Sequence, residues 1–337
     1  MNLHQGIRMK TFHVMSGASI PTVAMLMFIS AISASAAEFP DRPIRLIVGF
    51  APGGGTDSTA RAMSGKLGEL LGQQVIVDNR AGAGGNIATE MQATATPDGY
   101  TILLATMAGL AINPTLYGKR LKVDIQKDLV PVARAVNTTN IVVVHPSVPA
   151  RSIQELITLA KSKPATLNYG SAGVGGVPHL AAELFNSMAG VKITHVPYKG
   201  GGPAGAALFA GEVQVAFVSA ASSIPSIRAG RIRALALTNS SRTELFPELP
   251  TLSEAGLAGY EVDSWYGFVS TARTSASVIA RLNRDIGAAL QAPEVNQMLS
   301  RIAQSPAFST PAQFGELIRG ETRKWAKVIA ETGASAE

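Results

Sequence analysis

A strand that enters a helix through a run of glycines leaves the first amides of that helix with no partner in the chain, and this sequence does so twice. The first passage is Ile44-Arg45-Leu46-Ile47-Val48, then Gly49-Phe50-Ala51-Pro52-Gly53-Gly54-Gly55-Thr56, then a helix from about Asp57. About 120 residues later come Leu167-Asn168-Tyr169, then Gly170-Ser171-Ala172-Gly173-Val174-Gly175-Gly176-Val177, and a helix from Pro178. Two such turns facing one another would offer a small anion two sets of backbone donors.

Hydrophobic spacing extends both passages into larger units. After the first helix (60–71), strands are expected at 74–77 and 100–106, with a helix at 87–94 that stops before Pro97-Asp98-Gly99. The second passage repeats the order: helix 180–188, strand 192–196, a glycine loop at 199–202, helix 204–209 and strand 213–218. Each is a βαβαβ unit with right-handed crossovers. Strand-like segments at 129–136 and 140–145 would carry the chain from one lobe to the other, and 260–270 would bring it back. Ser152 caps a helix at 153–161, 232–238 is strand-like, and helices at 278–290, 294–302 and 312–329 are expected to pack on the first lobe.

Composition limits the function. Lys plus Arg exceed Asp plus Glu by only 29 against 23, scattered along 337 residues, so no nucleic-acid footprint is present. There is no cysteine, and no His, Asp and Glu cluster has metal-ligand spacing. Arg8 and Lys10 precede the apolar run Val23-Ala24-Met25-Leu26-Met27-Phe28-Ile29 and the small-residue segment Ala34-Ser35-Ala36-Ala37, which has the form of a signal peptide (1–37) cleaved near Ala36 or Ala37. The expected product is a soluble, monomeric, periplasmic protein.

Seven motifs then occur in the order of one family. They are Ala51-Pro52-Gly53-Gly54-Gly55-Thr56-Asp57 after Pro43-Ile44-Arg45-Leu46-Ile47-Val48; Asn79-Arg80 with Gly82-Ala83-Gly84-Gly85-Asn86; Pro97-Asp98-Gly99-Tyr100; Ala111-Ile112-Asn113-Pro114; Val196-Pro197-Tyr198-Lys199-Gly200; Ala229-Gly230 with Arg233-Ala234-Leu235-Ala236; and Trp265-Tyr266-Gly267. Over essentially the whole mature chain the sequence resembles the Bug family of periplasmic solute receptors of tripartite tricarboxylate transporters. The resemblance implies an α/β type II periplasmic-binding-protein fold, with a ligand cleft between two lobes (38–138 plus 262–337, and 139–261). It implies a small organic acid as ligand, a dicarboxylate or an amino acid among them, inner-membrane permease subunits as partners, and no cofactor. A ligand-sensing receptor partner would share the fold. Two positions depart from the family: Val218-Ser219-Ala220-Ala221 replaces the usual Asp-Asn after Ala216-Phe217, and Val174 and Val177 stand where polar residues are common.

The candidate ligand residues follow from these features. Phe50, Pro52, Gly53, Gly54, Thr56 and Asp57 belong to the first turn, where Asp57 either caps the helix or receives a ligand ammonium. Thr106 and Ala108 lie at the C-terminal edge of a parallel strand, with Tyr198 and Ser219 at the equivalent edge of the second lobe. Ser171, Gly175, Gly176 and His179 belong to the second turn. Replacing Gly54 or Gly175 by Val is expected to obstruct close backbone approach to the ligand. A serine hydrolase using Ser171 and His179, with Asp263 as third member, is the rival reading; it lacks the glycine two residues before the serine, since position 169 is Tyr. Trp265 and Tyr266 suit core or hinge packing as well as ligand contact, and Asn86 and Asn113 suit loop bracing.

Overall fold

A computed structural model describes Thr11 and residues 39–332. Apart from Thr11, the signal-peptide segment expected from the sequence lies outside the described residues.

In chain order the elements are β1 (Ile44–Val48), α1 (Gly55–Leu71), β2 (Val75–Asn79), α2 (Asn86–Ala93) and β3 (Thr101–Thr106). A π-helical turn (Ala108–Ile112) runs into α3 (Asn113–Tyr117), followed by α4 (Ile125–Asp128), β4 (Leu129–Thr138) and β5 (Asn140–Val144). Next come α5 (Ile153–Ser162), β6 (Asn168–Ser171), α6 (Val177–Ala189), β7 (Thr194–Pro197), α7 (Gly201–Ala210) and β8 (Val215–Ser219). The chain ends with α8 (Ala220–Arg228), β9 (Arg233–Leu237), β10 (Ser264–Thr271), α9 (Ala276–Gln291), α10 (Pro293–Arg301), β11 (Gln304–Pro306) and α11 (Pro311–Thr332).

These strands form two sheets, ordered β11-β4-β10-β3-β1-β2 and β7-β6-β8-β5-β9. Each contains the repeat expected from the sequence: β1 lies between β3 and β2, and β6 between β8 and β7, all parallel. Each repeat is closed by a strand that has just crossed between sheets, β10 antiparallel to β3 and β5 antiparallel to β8. The chain therefore crosses at β4–β5 and returns between β9 and β10, which makes the first lobe discontinuous. The crossings are tied side by side: Thr138 and Ser264 share a hydrogen bond, and Asn140 Nδ2 donates to Ser264 Oγ at 2.9 Å.

The strands form because their apolar residues are buried on both faces, as parallel sheets covered by helices require. In β1, Ile44, Leu46, Ile47 and Val48 are fully buried. In α1 the buried Ala60, Met63, Leu67 and Leu71 recur at three and four residues, so one stripe faces the sheet. One hydrophobic cluster extends from Ala111 and Phe314 in the first lobe to Leu180 and Phe217 in the second. The two lobes are thus in packed contact.

Two segments differ from the sequence expectation. Residues 220–228, for which no helix is expected from the sequence, form α8: its N-cap Ser219 makes no side-chain capping bond, and the stretch holds three serines and an internal Pro225. The first strand of the second repeat, expected at 167–169, runs on to Ser171 as β6, and helix α6 starts at Val177, because the turn tightens around Gly173, Gly175 and Gly176.

Candidate ligand-binding site

A cavity of about 60 Å³ lies between the lobes. At about 10–15 Å³ of such space per water, it holds roughly four to six waters. The first lobe contributes Phe50, Gly54, Gly55, Thr56, Thr106, Ala108, Ser264 and Tyr266. Facing them are Asn140, Ala172, Gly176, Val177, Pro178, Gly201, Ala204, Phe217, Val218 and Ser219. None of these lining residues carries a charge.

Positive potential comes instead from helix starts. The N-terminal residues of α1, α6 and α7 and the N-cap of α8 all line the cavity. Each helix end carries about half a positive charge in partial charges on its free amides. In α1 the first intrahelical bond is Ser58 N to Gly54 O at 3.0 Å, so the Gly55 and Thr56 amides precede it. A Cβ on Gly55 would lie 2.5 Å from Ser219 Oγ and 2.9 Å from Tyr266 Oη, which gathers these hydroxyls around the helix start. Burial raises the Tyr266 pKa, and the adjoining Thr56 and Ser219 hydroxyls only partly offset it, so the phenol is a neutral donor. Ser219 Oγ is itself buried without a hydrogen bond of ordinary geometry to the protein. Buried hydroxyls in that condition mark a place where a partner is expected.

The first turn is braced by Asp57, which does not line the cavity. Its carboxylate accepts from Gly53 N at 3.0 Å, Asn79 Nδ2 at 3.0 Å and Arg61 Nε at 3.0 Å. Burial raises its pKa, but Arg61, the Gly53 amide and Asn79 together outweigh that and hold it below the usual value. Gly54, not Asp57, is the N-cap of α1, so in place of the cap expected from the sequence the Asp57 carboxylate braces the turn that precedes the helix. Pro52 and Gly53 do not line the cavity, and Pro52 O faces Gly202 of α7 in the other lobe.

The second turn is built differently. Gly173 N donates to Ser171 Oγ, Gly175 N to His179 Nδ1 and Gly176 N to Gly173 O, each at 3.2 Å. His179 N donates to Gly176 O at 3.0 Å, and Pro178 has no amide hydrogen. Most amides of this turn are therefore spent inside it. Ser171, Gly175 and His179 support the turn from behind, while Gly176 reaches the cavity. Gly175 has φ +79°, and a Cβ there would meet Asn113 Oδ1 at 2.6 Å. Its glycine is required by the packing of the lobes, not by ligand approach.

His179 stacks on His195 with ring centroids 4.2 Å apart, and His195 stacks on Tyr169 at 4.8 Å. Burial lowers His179 to about 4, and burial with the nearby His179 lowers His195 to about 3. Both are neutral near pH 7. Ser171 Oγ lies 2.7 Å from His195 Nε2, so the histidine beside the serine is not the one expected for a hydrolase. Ser171 is fully buried, and Asp263 is held by Asn239 Nδ2 and Ser240 instead of orienting an imidazole.

The remaining candidates divide. Thr106, Ala108 and Ser219 line the cavity; Tyr198 lines a neighbouring space of about 250 Å³ that shares Phe50 and Ala172 with it. Trp265 packs edge-on to Phe314, whereas its neighbour Tyr266 reaches the cavity. Asn113 Nδ2 donates to Asn86 Oδ1 at 2.6 Å, the loop bracing expected. Asn140, Gly201 and Phe217 are not among the residues the sequence singles out. The glycines at 200–202 were the available signal.

Two α/β lobes enclosing a charge-free cavity among helix starts define a solute-binding protein of the type II periplasmic kind. Residues 59–334 match the family model described as the tripartite tricarboxylate transporter family receptor, TctC. The chain belongs to this family of periplasmic solute receptors. It is 39% identical over 311 residues, 92% of each chain, to a protein in the tcbD-tcbE intergenic region of Pseudomonas sp. strain P51. It is 37% identical over 305 residues to BugT of Bordetella pertussis, covering 89% of this chain and 92% of BugT. Among solved structures, an R. palustris protein with adipate superposes with a TM-score of 0.86 at 34% identity, over 88% of this chain and 99% of that one. MatC from Rhodopseudomonas palustris with bound malate gives 0.81 at 30%, over 86% and 100%. The periplasmic binding protein BugD gives 0.85 at 28%, over 88% and 99%. Family and neighbours are solute-binding proteins, not enzymes.

Proposed function

We propose that this protein captures a small organic carboxylate in the cavity between its lobes, outside the inner membrane, and presents it to a permease. The observation that carries this reading is the convergence of four helix N-termini on a cavity without a charged side chain. An anion gains there from partial charges and amide donors and loses nothing to a buried unpaired cation when it leaves. The adipate and malate seen with structural neighbours support the same class. Lobe boundaries at 38–138 plus 262–337 and at 139–261 are part of this reading, and the division of the strands into two sheets supports them. Closure on the ligand requires that it bind the closed arrangement better than the open one.

A thermal-shift screen of small carboxylates against their amides tests the proposal. An acid at about 100 times its Kd should stabilise the protein by ~2.7 kcal/mol, with the matching amide much weaker. Equal stabilisation by acid and amide would refute the anion site.

A further inference from the structure

We infer that the cavity takes a monocarboxylate with an apolar body in preference to a dicarboxylate. This rests on the carboxylate reading above and concerns the distribution of donors within the same site. An ionised carboxylate offers about four acceptor positions. The Gly55 and Thr56 amides with the hydroxyls of Thr56, Ser219 and Tyr266 are enough to fill them. The Gly201 amide nitrogen, 3.7 Å from the Cβ position of Gly54, faces this same turn and adds to the same end.

A second carboxylate finds no comparable set. Asn140 and Ser264 are bonded to each other, and Ser264 also to Thr138. The amides of Gly175, Gly176 and His179 are engaged within their own turn and Pro178 has none, which leaves that wall the Ala172 and Val177 amides with no hydroxyl beside them. The rest of the second-lobe wall is Ala172, Val177, Pro178, Ala204, Phe217 and Val218, none with a polar side-chain atom. An ionised group placed against such a wall loses most of its hydration for two amides at best, whereas a methyl, methylene or ring gains from burial.

The test is calorimetric titration of the full chain, freed of endogenous ligand by unfolding and refolding, with three pairs of equal carbon skeleton: butyrate and succinate, hexanoate and adipate, 4-methylbenzoate and terephthalate. Butyramide, hexanamide and 4-methylbenzamide are controls. The expected result is at least one monocarboxylate bound ten or more times tighter than its dicarboxylate partner, with no pair reversed and the amides weak. A dicarboxylate bound as tightly as or tighter than its partner overturns this inference and leaves the carboxylate reading standing. Amides bound as well as acids, or no acid bound at all, overturn the carboxylate reading and this inference with it. Val177→Thr, close to isosteric, adds a hydroxyl to the apolar wall and should narrow the preference severalfold; an unchanged preference in a folded variant also counts against the inference.

Discussion

The Tyr117 hydroxyl donates to the Val174 carbonyl at 3.0 Å, joining the end of α3 in the first lobe to the second glycine turn in the other. Beside it, a Cβ on Gly84 would lie 2.4 Å from the same carbonyl, so the backbones meet closely across the mouth of the cleft. Together these contacts hold the lobes shut on one side of the cavity.

Tyr117→Phe should therefore favour the open arrangement. One hydrogen bond is worth about 0.5–1.5 kcal/mol, so ligand affinity should fall roughly two- to tenfold and dissociation quicken. Stopped-flow release of ligand, with scattering to follow the radius of gyration, is the measurement. An unchanged release rate would show that the bond does not contribute to closure.

Gly55, and not Gly54, is the glycine on which binding should depend. A Cβ on Gly55 would come within 2.5 Å of Ser219 Oγ and 2.9 Å of Tyr266 Oη, whereas one on Gly54 would meet only Ala51 O and Gly201 N at 3.7 Å. Gly55→Ala should reduce affinity on the order of a hundredfold by displacing the hydroxyls, about 2.7 kcal/mol at 1.36 per tenfold. Gly54→Ala should bind nearly normally. Titration of both variants with one carboxylate separates them, and equal losses would contradict the geometry.

Removing the Asp57 charge should act on stability before affinity. Asp57→Asn leaves Arg61 without its carboxylate and weakens the acceptor for Gly53 N, a loss of about 1–3 kcal/mol for charge-assisted bonds in a part-buried position. Denaturant unfolding should show this without added ligand. A fall in affinity with unchanged stability would mean that Asp57 contacts ligand after all.

Stability should decline as pH falls from about 6.5 toward 4. His179 and His195 have pKa values depressed by burial from 6.5 to about 4 and about 3, so between the folded and unfolded values the unfolded chain binds more protons. The penalty is absent above the unfolded pKa, grows as pH drops, and levels off once the folded pKa is passed. For His179 alone it is on the order of 3 kcal/mol. Protonation at Nδ1 also removes the acceptor of the Gly175 amide, loosening the second turn. His179→Gln should flatten this part of the pH–stability curve; an unaltered slope would assign the acid sensitivity elsewhere.

Local rules made much of the fold legible. The strand 44–48 matches β1 because its apolar run is buried on both faces, and Ser152 caps α5 through its hydroxyl on the Glu155 amide as its residue type predicts. The repeated strand, turn and helix order held because its periods of two and 3.6 depend only on neighbours in the chain. The resemblance to one family supplied the two-lobed arrangement as well.

By itself the sequence determined two glycine turns opening helices toward one ligand, and it left them equivalent. Only tertiary structure distinguished them: Asp57 and Asn79 brace the first turn from outside and leave its helix amides open, while Ser171 and His179 consume amides of the second. Tyr266, 211 positions after Gly55, became a cavity residue through the pairing of β10 with β3, and Trp265 beside it became core because successive strand residues point to opposite faces. Residue types and spacing reveal which amides a helix start leaves unpaired. Which of them stay unpaired depends on side chains that arrive from elsewhere in the chain, and that is decided only when the sheets have formed and the lobes have met.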